Sequence, residues 1–153
     1  MRAQTSLDLS YLIREALALV RDDLQTHRIA VRVDCNERCS RIEGNQVQLQ
    51  QVLVNLITNA IESMATEDGQ RVLSLRSEVH DSGRVMVSVE DTGEGVEPSA
   101  IDRIFNPLFT TKPHGMGMGL SICRSIIEAH GGRLWVTANL PRGAIFQFTL
   151  PAH

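Results

Sequence analysis

Apolar residues recur along this chain with two spacings, and each spacing predicts a different secondary structure. Helical spacing, with apolar residues three or four positions apart, covers residues 7–26, 46–64 and 120–130. Alternation of apolar and polar residues predicts strands at 29–33, 72–79, 84–89, 133–137 and 144–150. Asp8 or Ser10 is placed to cap the first helix. The polar run 35–45 is expected to be turn-like.

Turn residues separate these elements. Asp68-Gly69 ends the second long helix, residues 81–83 suit a hairpin turn, and Gly131-Gly132 ends the last helix. Residues 92–117 form a long connection around a short apolar helix predicted at 100–105, and long connections are often functional. This order predicts an α+β fold: a two-layer α/β sandwich in which about three helices cover one face of a mixed sheet of about five strands.

Length and composition fit one globular domain. The chain has 153 residues, 42% hydrophobic and 22% charged. Its formal net charge of -3 argues against a general nucleic-acid binder. We find neither an apolar run long enough to span a membrane nor the layout of a signal peptide. The 3 cysteines suggest no disulfide or metal pattern, so we expect reduced thiols and a cytoplasmic location.

Two asparagines lie four residues apart in an otherwise apolar helix, at Asn55 and Asn59. Residues at i and i+4 share a helix face, and Glu62 extends this stripe. Amides beside a core are costly unless something pairs with them. Oxygen-bearing side chains on one face suggest a hard cation that arrives with a ligand. A pair of core amides bonded to the backbone is the alternative.

A strand over residues 85–91 ends in a carboxylate, Asp91, which Gly93 and Gly95 follow. Such a carboxylate can accept a hydrogen bond from an amino group, and the glycines allow a flat ring to approach the backbone. A polar hairpin turn is the alternative, because Asp-x-Gly is common in turns.

Two further motifs suit phosphate. Residues 104–112 combine two aromatic side chains and a proline with the donors Thr110, Thr111 and Lys112. A Gly-x-Gly-x-Gly run then leads into a helix at Leu120, where free N–H groups and the helix dipole favour an anion. A small hydrophobic cluster and a flexible linker are the respective alternatives. Together, the four motifs describe a purine nucleotide with magnesium.

The order of these motifs resembles the catalytic ATP-binding domain of sensor histidine kinases, a fold shared with DNA gyrase, Hsp90 and MutL. The amino-acid sequence of these motifs is most similar to that of the nitrogen-regulation and oxygen-sensing kinases of bacteria. The resemblance extends from about residue 7 to residue 150, and it rests on the asparagine run 50–62, Asp-x-Gly-x-Gly at 91–95, Phe-x-Pro-x-Phe-Thr-Thr-Lys at 105–112 and Gly-x-Gly-x-Gly-Leu at 115–120.

The resemblance implies a role for each matching residue. Asn59 would be the main Mg²⁺ ligand, with Asn55 as a second candidate. Asn55 takes the position of a glutamate general base in hydrolytic relatives, and an amide cannot serve as that base, which favours phosphoryl transfer. Asp91 would bind the adenine amino group, supported by Thr149 through water. The pocket and phosphate positions would be Gly93, Gly95, Lys112, His114, Gly115, Gly117, Gly119 and Leu120.

The implied activity is that of a histidine kinase catalytic domain using ATP and Mg²⁺, with residues 96–117 as a mobile ATP lid. His27 lacks the acidic and proline context of the family's phospho-acceptor. We therefore expect residues 1–153 to form a single ATP-binding catalytic domain, with the histidine-bearing hairpin and any sensor domain elsewhere.

The implied partners are that hairpin and a downstream response regulator. Without the hairpin, we expect a monomer that does not autophosphorylate and that contacts neither membrane nor nucleic acid. The alternatives are a nucleotide-binding interaction module without transfer activity and an anti-sigma-type serine kinase.

Overall fold

A computed structural model describes residues 4–35, 41–80, 83–97, 101, 103–105 and 119–151. Within these ranges the elements are β1 (Gln4–Asp8), α1 (Leu9–Leu19), α2 (Arg21–Thr26), β2 (Ala30–Cys35), β3 (Arg41–Asn45), α3 (Gln46–Ala65), β4 (Val72–His80), β5 (Arg84–Glu90), α4 (Gly119–Ala129), β6 (Leu134–Ala138) and β7 (Ala144–Pro151). No helix among the described residues is long and apolar enough to cross a membrane.

The main sheet has five strands in the order β2-β4-β5-β7-β6. β2 runs parallel to β4, and the other neighbours are antiparallel. Along β7 buried residues alternate with half-buried ones, as expected of a sheet with helices on one face. The predicted α+β sandwich with a mixed five-stranded sheet is therefore confirmed.

The core is organised around α3. Its buried residues recur every three or four positions, which gives the helix an apolar side that faces α1, α4 and the sheet. The buried side chains of α3 are Leu49, Val52, Leu53, Leu56, Ile57, Ala60, Ile61 and Met64. This packing fixes the helix that carries the asparagine stripe.

Three features differ from the sequence expectation. The run 35–45 is not only turn-like, because residues 41–45 form β3, which pairs antiparallel with β1 in a separate two-stranded sheet. The single helix expected over residues 7–26 divides at Val20 into α1 and α2. Of the short helix expected at 100–105, the described residues are in turns, and the others lie outside the described ranges.

Two of the helices, α1 and α3, begin directly after a residue whose side chain caps the helix. Asp8 Oδ1 accepts a hydrogen bond from Tyr11 N at 3.3 Å, so Asp8 rather than Ser10 caps α1. Asn45 Oδ1 accepts from Gln48 N at 3.0 Å and caps α3. Both helices therefore begin at a side-chain oxygen that accepts from a free backbone N–H.

A buried histidine links the end of α4 to the start of α3. His130 Nδ1 lies 2.8 Å from the Ile126 carbonyl oxygen, and Asn45 N donates to His130 Nε2 at 3.0 Å. A carbonyl can only accept, so Nδ1 carries the hydrogen and Nε2 is the acceptor. A Cβ at Gly44 would lie 2.9 Å from the His130 ring. The neutral imidazole and the glycine therefore fit together at this junction.

We predict that His130→Ala lowers the free energy of unfolding by about 2–3 kcal/mol, because it removes a buried side chain and leaves the part-buried Asn45 N–H without its acceptor. His27→Ala is the control, since the His27 ring bonds to Asp23 O in its own helical turn and is exposed. The His27→Ala substitution should lower the free energy of unfolding by less than about 1 kcal/mol. Urea unfolding followed by circular dichroism measures both, and equal small losses would contradict the link.

Candidate functional site

The asparagine stripe lies at the boundary between core and surface. Asn55 and Asn59 are half-buried, whereas Leu56 and Ala60 beside them on α3 are fully buried. Glu62 is exposed, so the stripe runs from the core edge outward. The two amides are therefore neither enclosed in the core nor fully exposed to solvent.

The first of these amides contacts α4 through a buried thiol. Cys123 is fully buried, and its Sγ donates to the Val52 carbonyl at 4.0 Å. Burial raises the pKa of Cys123 to about 11, while a hydrogen bond from the Asn55 side chain opposes that rise. The thiol is therefore neutral near pH 7. Gly119, where α4 begins, lies one turn before Cys123 and so on the Asn55 side of the helix pair.

Asp91 follows β5 directly and is only 1% exposed. Its Oδ1 accepts from Gly93 N at 2.9 Å and from Ala144 N at 3.3 Å, and its own N–H donates to the Ala144 carbonyl. Hydrogen bonds from two parts of the backbone fix the direction of the carboxylate. The predicted pocket carboxylate is therefore held rigidly at the end of its strand.

Gly93 and Gly95 allow the loop after Asp91 to approach two other elements. A Cβ at Gly93 would lie 2.7 Å from the backbone of Ser63 on α3. Gly95 has a φ of 80°, and a Cβ there would lie 2.9 Å from the Gly143 carbonyl oxygen. The glycines thus allow the Asp91 loop to pack closely against the backbone of α3 and of the β6–β7 turn.

The stripe on α3 continues into this loop. Ser63 is four residues past Asn59 and eight past Asn55, so all three share one face of the helix. Because Ser63 contacts Gly93, this face ends at the loop that holds Asp91. The structure therefore brings the two amides and the buried carboxylate to one continuous edge of the fold.

Part of the expected lid belongs to the main core. Ile104 and Phe105 are buried, and the Phe105 ring meets Phe146 of β7 edge to face at 6.2 Å between centroids. The Arg124 guanidinium lies 5.9 Å from the same ring. Phe105 therefore joins the central core and anchors the described part of the 96–117 segment to the sheet and α4.

The expectation that Thr149 supports Asp91 was wrong. Thr149 pairs with Met86, whereas Glu90, just before Asp91, pairs with Ile145. Thr149 thus lies about 17 Å along β5 from Asp91, at 3.4 Å per residue. Its hydroxyl oxygen instead accepts from Arg133 N. The position beside Asp91 on β7 belongs to Ala144, which contributes its backbone N–H.

Several predicted phosphate contacts lie outside the described residues: Lys112, His114, Gly115 and Gly117. Gly119 and Leu120 are described and are half-buried at the start of α4. Within the described ranges no three His, Cys, Asp or Glu side chains cluster to hold a metal ion. An amide oxygen such as that of Asn59 suits Mg²⁺ when phosphates and water complete its oxygen shell.

Two residues that the sequence pattern did not single out brace the Asp91 loop. The Thr92 hydroxyl accepts from Val72 N at 3.1 Å and donates to the Gln70 carbonyl at 3.0 Å, which ties the loop to the start of β4. Asn139 Nδ2 donates to the Asp91 carbonyl at 2.7 Å. Thr92 lies within the motif itself, but no sequence signal connects Asn139 with Asp91.

Comparisons with protein families, curated proteins and solved structures agree on the kind of protein that this chain resembles. Residues 44–153 match the family of histidine kinase-, DNA gyrase B-, and HSP90-like ATPases. Sensor protein FixL of Bradyrhizobium diazoefficiens is 44% identical over 144 residues, which are 94% of this chain and 28% of FixL. This chain therefore spans less than a third of that relative.

Solved structures of histidine kinases share the fold. The nucleotide-free catalytic domain of ThkA superposes with a TM-score of 0.86 at 36% identity, covering 97% of each chain. The structure of ThkA in complex with response regulator protein TrrA superposes with a TM-score of 0.83 at 33% identity. The match covers 98% of this chain and 42% of that one.

Full-length ShkA in complex with AMPPNP gives a TM-score of 0.87 at 29% identity, covering 99% of this chain and 32% of that one. The edge described above thus occurs in a fold seen with a nucleotide analogue in another protein. The chain belongs to the family of histidine kinase-, DNA gyrase B- and HSP90-like ATPases, and its matched relatives are sensor histidine kinases.

Proposed function

We propose that this chain binds Mg²⁺·ATP and transfers the γ-phosphoryl group to a histidine on a separate acceptor domain in two-component signalling. The observation that carries the proposal is the continuous edge from Asn55 and Asn59, through Ser63, to the loop that fixes Asp91. One end of this edge suits a metal with phosphates and the other an aminopurine ring. Family membership supports the same assignment.

At the ring end, Asp91 would recognise the adenine amino group. A carboxylate whose direction is fixed by backbone N–H groups accepts from an amino group but repels the carbonyl oxygen that guanine presents at the same position. Gly93 and Gly95 let the loop that holds Asp91 pack closely against α3 and the β6–β7 turn. The site should therefore select adenine over guanine nucleotides.

At the phosphate end, Asn59 would supply one oxygen to Mg²⁺, with phosphate oxygens and water completing the octahedron. The start of α4 at Gly119 and Leu120 offers N–H groups and the positive end of the helix dipole. Lys112, His114, Gly115 and Gly117 would complete the phosphate contacts from outside the described residues. Asn55 stands beside them as a second metal candidate.

Asn55 bears on the reaction type. Its amide contacts the neutral Cys123 thiol, and neither group can remove a proton from water near pH 7. Activating water as the nucleophile is thus disfavoured at this position, which supports phosphoryl transfer to an external acceptor. Catalysis would rest on positioning and on electrostatic stabilisation of the transferring group.

The acceptor histidine would lie on a helical hairpin beyond residues 1–153, which we treat as one ATP-binding catalytic domain with a lid at 96–117. The short coverage of FixL supports a larger parent protein. The ThkA–TrrA complex supports a response regulator as the downstream partner. We propose that the chain itself acts as a monomer in the cytoplasm, without membrane or nucleic-acid contact.

We predict saturable binding of ATP, stronger with Mg²⁺ than without it and stronger than binding of GTP. Asp91→Asn should weaken ATP binding at least about tenfold, because an amide loses acceptor strength and the charge-assisted bonds. Glu94→Gln is the matched control, since Glu94 is an exposed carboxylate in the same loop. Calorimetric titration measures all three proteins. Equal affinities for Asp91→Asn and wild type would remove Asp91 from the pocket.

Transfer is tested by adding the parent kinase's histidine hairpin with γ-³²P-labelled ATP. We expect an acid-labile, base-stable phosphate on the hairpin, which is the behaviour of phosphohistidine. An acid-stable phosphoserine on a partner would instead support a serine kinase. A folded, ATP-binding chain that labels no acceptor would support an interaction module. Replacing the acceptor histidine by glutamine is the control for the site of labelling.

Gly93→Ala should weaken ATP binding at least about tenfold or destabilise the fold by about 1–3 kcal/mol, because the new Cβ would overlap the Ser63 backbone. Gly69→Ala is the matched control, as a Cβ at Gly69 has no neighbour within 4 Å. ATP titration and urea unfolding of both variants separate the two effects. A Gly93→Ala protein with wild-type affinity and stability would refute the close approach.

A further inference from the structure

The β6–β7 turn lies directly against Asp91. Asn139 N donates to the Gly143 carbonyl at 3.1 Å and closes the turn. Gly143 has a φ of 108°, and a Cβ on it would overlap the Asp91 carbonyl group. Only a glycine therefore allows the turn to approach so closely. This contact places the half-buried Asn139 side chain next to the Asp91 peptide.

The orientation of the Asn139 amide is determined by its partner. Nδ2 donates to the Asp91 carbonyl oxygen at 2.7 Å, a short hydrogen bond. Because a backbone carbonyl can only accept, the nitrogen and not the oxygen of the amide must face it. Asn139 thus fixes the plane of the peptide that follows Asp91.

That peptide determines where the next donors lie. It leads through Thr92 to Gly93, whose N–H donates to Asp91 Oδ1 at 2.9 Å. The second donor to the same oxygen is Ala144 N, which directly follows the turn. One turn therefore holds Asp91 twice: Asn139 holds its main chain, and Ala144 holds its carboxylate.

An ion pair connects the turn to the end of α3. Arg142 at the tip of the turn pairs with Glu67, just after α3. Glu67 lies four residues past Ser63, which contacts Gly93. The turn, the Asp91 loop and the end of α3 thus form a closed set of contacts. The Asn139 side chain is the member of this set that holds the Asp91 peptide.

We infer that Asn139 is a positioning residue for base selection, whose amide holds the Asp91 peptide so that the carboxylate accepts from an amino group and rejects a carbonyl. This inference rests on the proposed function and adds a residue that does not touch the nucleotide. Without the amide, the peptide can rotate, Gly93 N–H leaves Oδ1, and the carboxylate is no longer held in one direction.

The test compares ATP with inosine triphosphate, which replaces the 6-amino group of the ring by a carbonyl. The variants are Asn139→Asp, which turns an acceptor toward the Asp91 carbonyl, and Asn139→Ser, which is smaller and keeps a hydroxyl donor. Gln147→Ala is the control, because Gln147 is an amide on adjacent β7 that bonds Trp135 and Ser88 instead of Asp91. Thermal melting confirms that each protein is folded before titration.

We expect Asn139→Asp to reduce the ratio of ATP to inosine triphosphate affinity at least about tenfold, the equivalent of about one hydrogen bond. Asn139→Ser should reduce it less, and Gln147→Ala should leave it unchanged. A purely structural role would lower both affinities by the same factor and keep the ratio, and that result would overturn the inference.

The two proposals can fail separately. A wild-type chain that does not discriminate between the nucleotides, or a ratio insensitive to Asp91→Asn, would contradict the adenine pocket and the inference with it. A wild type that discriminates and responds to Asp91→Asn, combined with Asn139 variants of unchanged ratio, would overturn the role of Asn139 alone.

Discussion

The structure depends on the burial of one carboxylate at the end of a central strand. Burying a charge is costly unless hydrogen bonds compensate for it, and Asp91 obtains them from the backbone of Gly93 and Ala144. These bonds require the loop after β5 to turn back and the start of β7 to lie alongside it. The two glycines of the loop and Gly143 of the neighbouring turn are consequences of this requirement, because each makes a backbone contact that leaves no room for a Cβ.

The helix α3 combines two roles that its sequence keeps on different faces. Its apolar residues fill the space between α1, α4 and the sheet, which fixes its position. Asn55, Asn59 and Ser63 follow one another at intervals of four residues along the boundary of that apolar face, so the same packing that stabilises the fold also positions them. Cys123 extends this support from α4, since a small buried thiol permits close helix packing and still contacts Asn55.

Local patterns predicted the main elements well, and long-range partners account for what was missed. The main-sheet strands and α3 follow from periodicity within their own residues, as do the paired amides and the Asp91–Gly95 motif. β3 was missed because it buries only Ile42 and Gly44, and its partner β1 lies far back in the chain. Thr149 was placed wrongly because the register of β5 with β7 decides which residue stands beside Asp91, and register is not visible in either strand alone.

Asn139 shows most clearly that a long-range hydrogen-bond partner cannot be recognised from the local sequence. An asparagine before a proline and a glycine is typical of a turn, and its side chain is then expected to bond to its own backbone. Here the donor goes to a carbonyl 48 positions away in sequence. The residues that would contact a nucleotide are local in sequence and therefore recognisable. The residues that hold them are not, because their hydrogen-bond partners lie far away in sequence. The pocket's specificity should thus depend on the turn as much as on the motif.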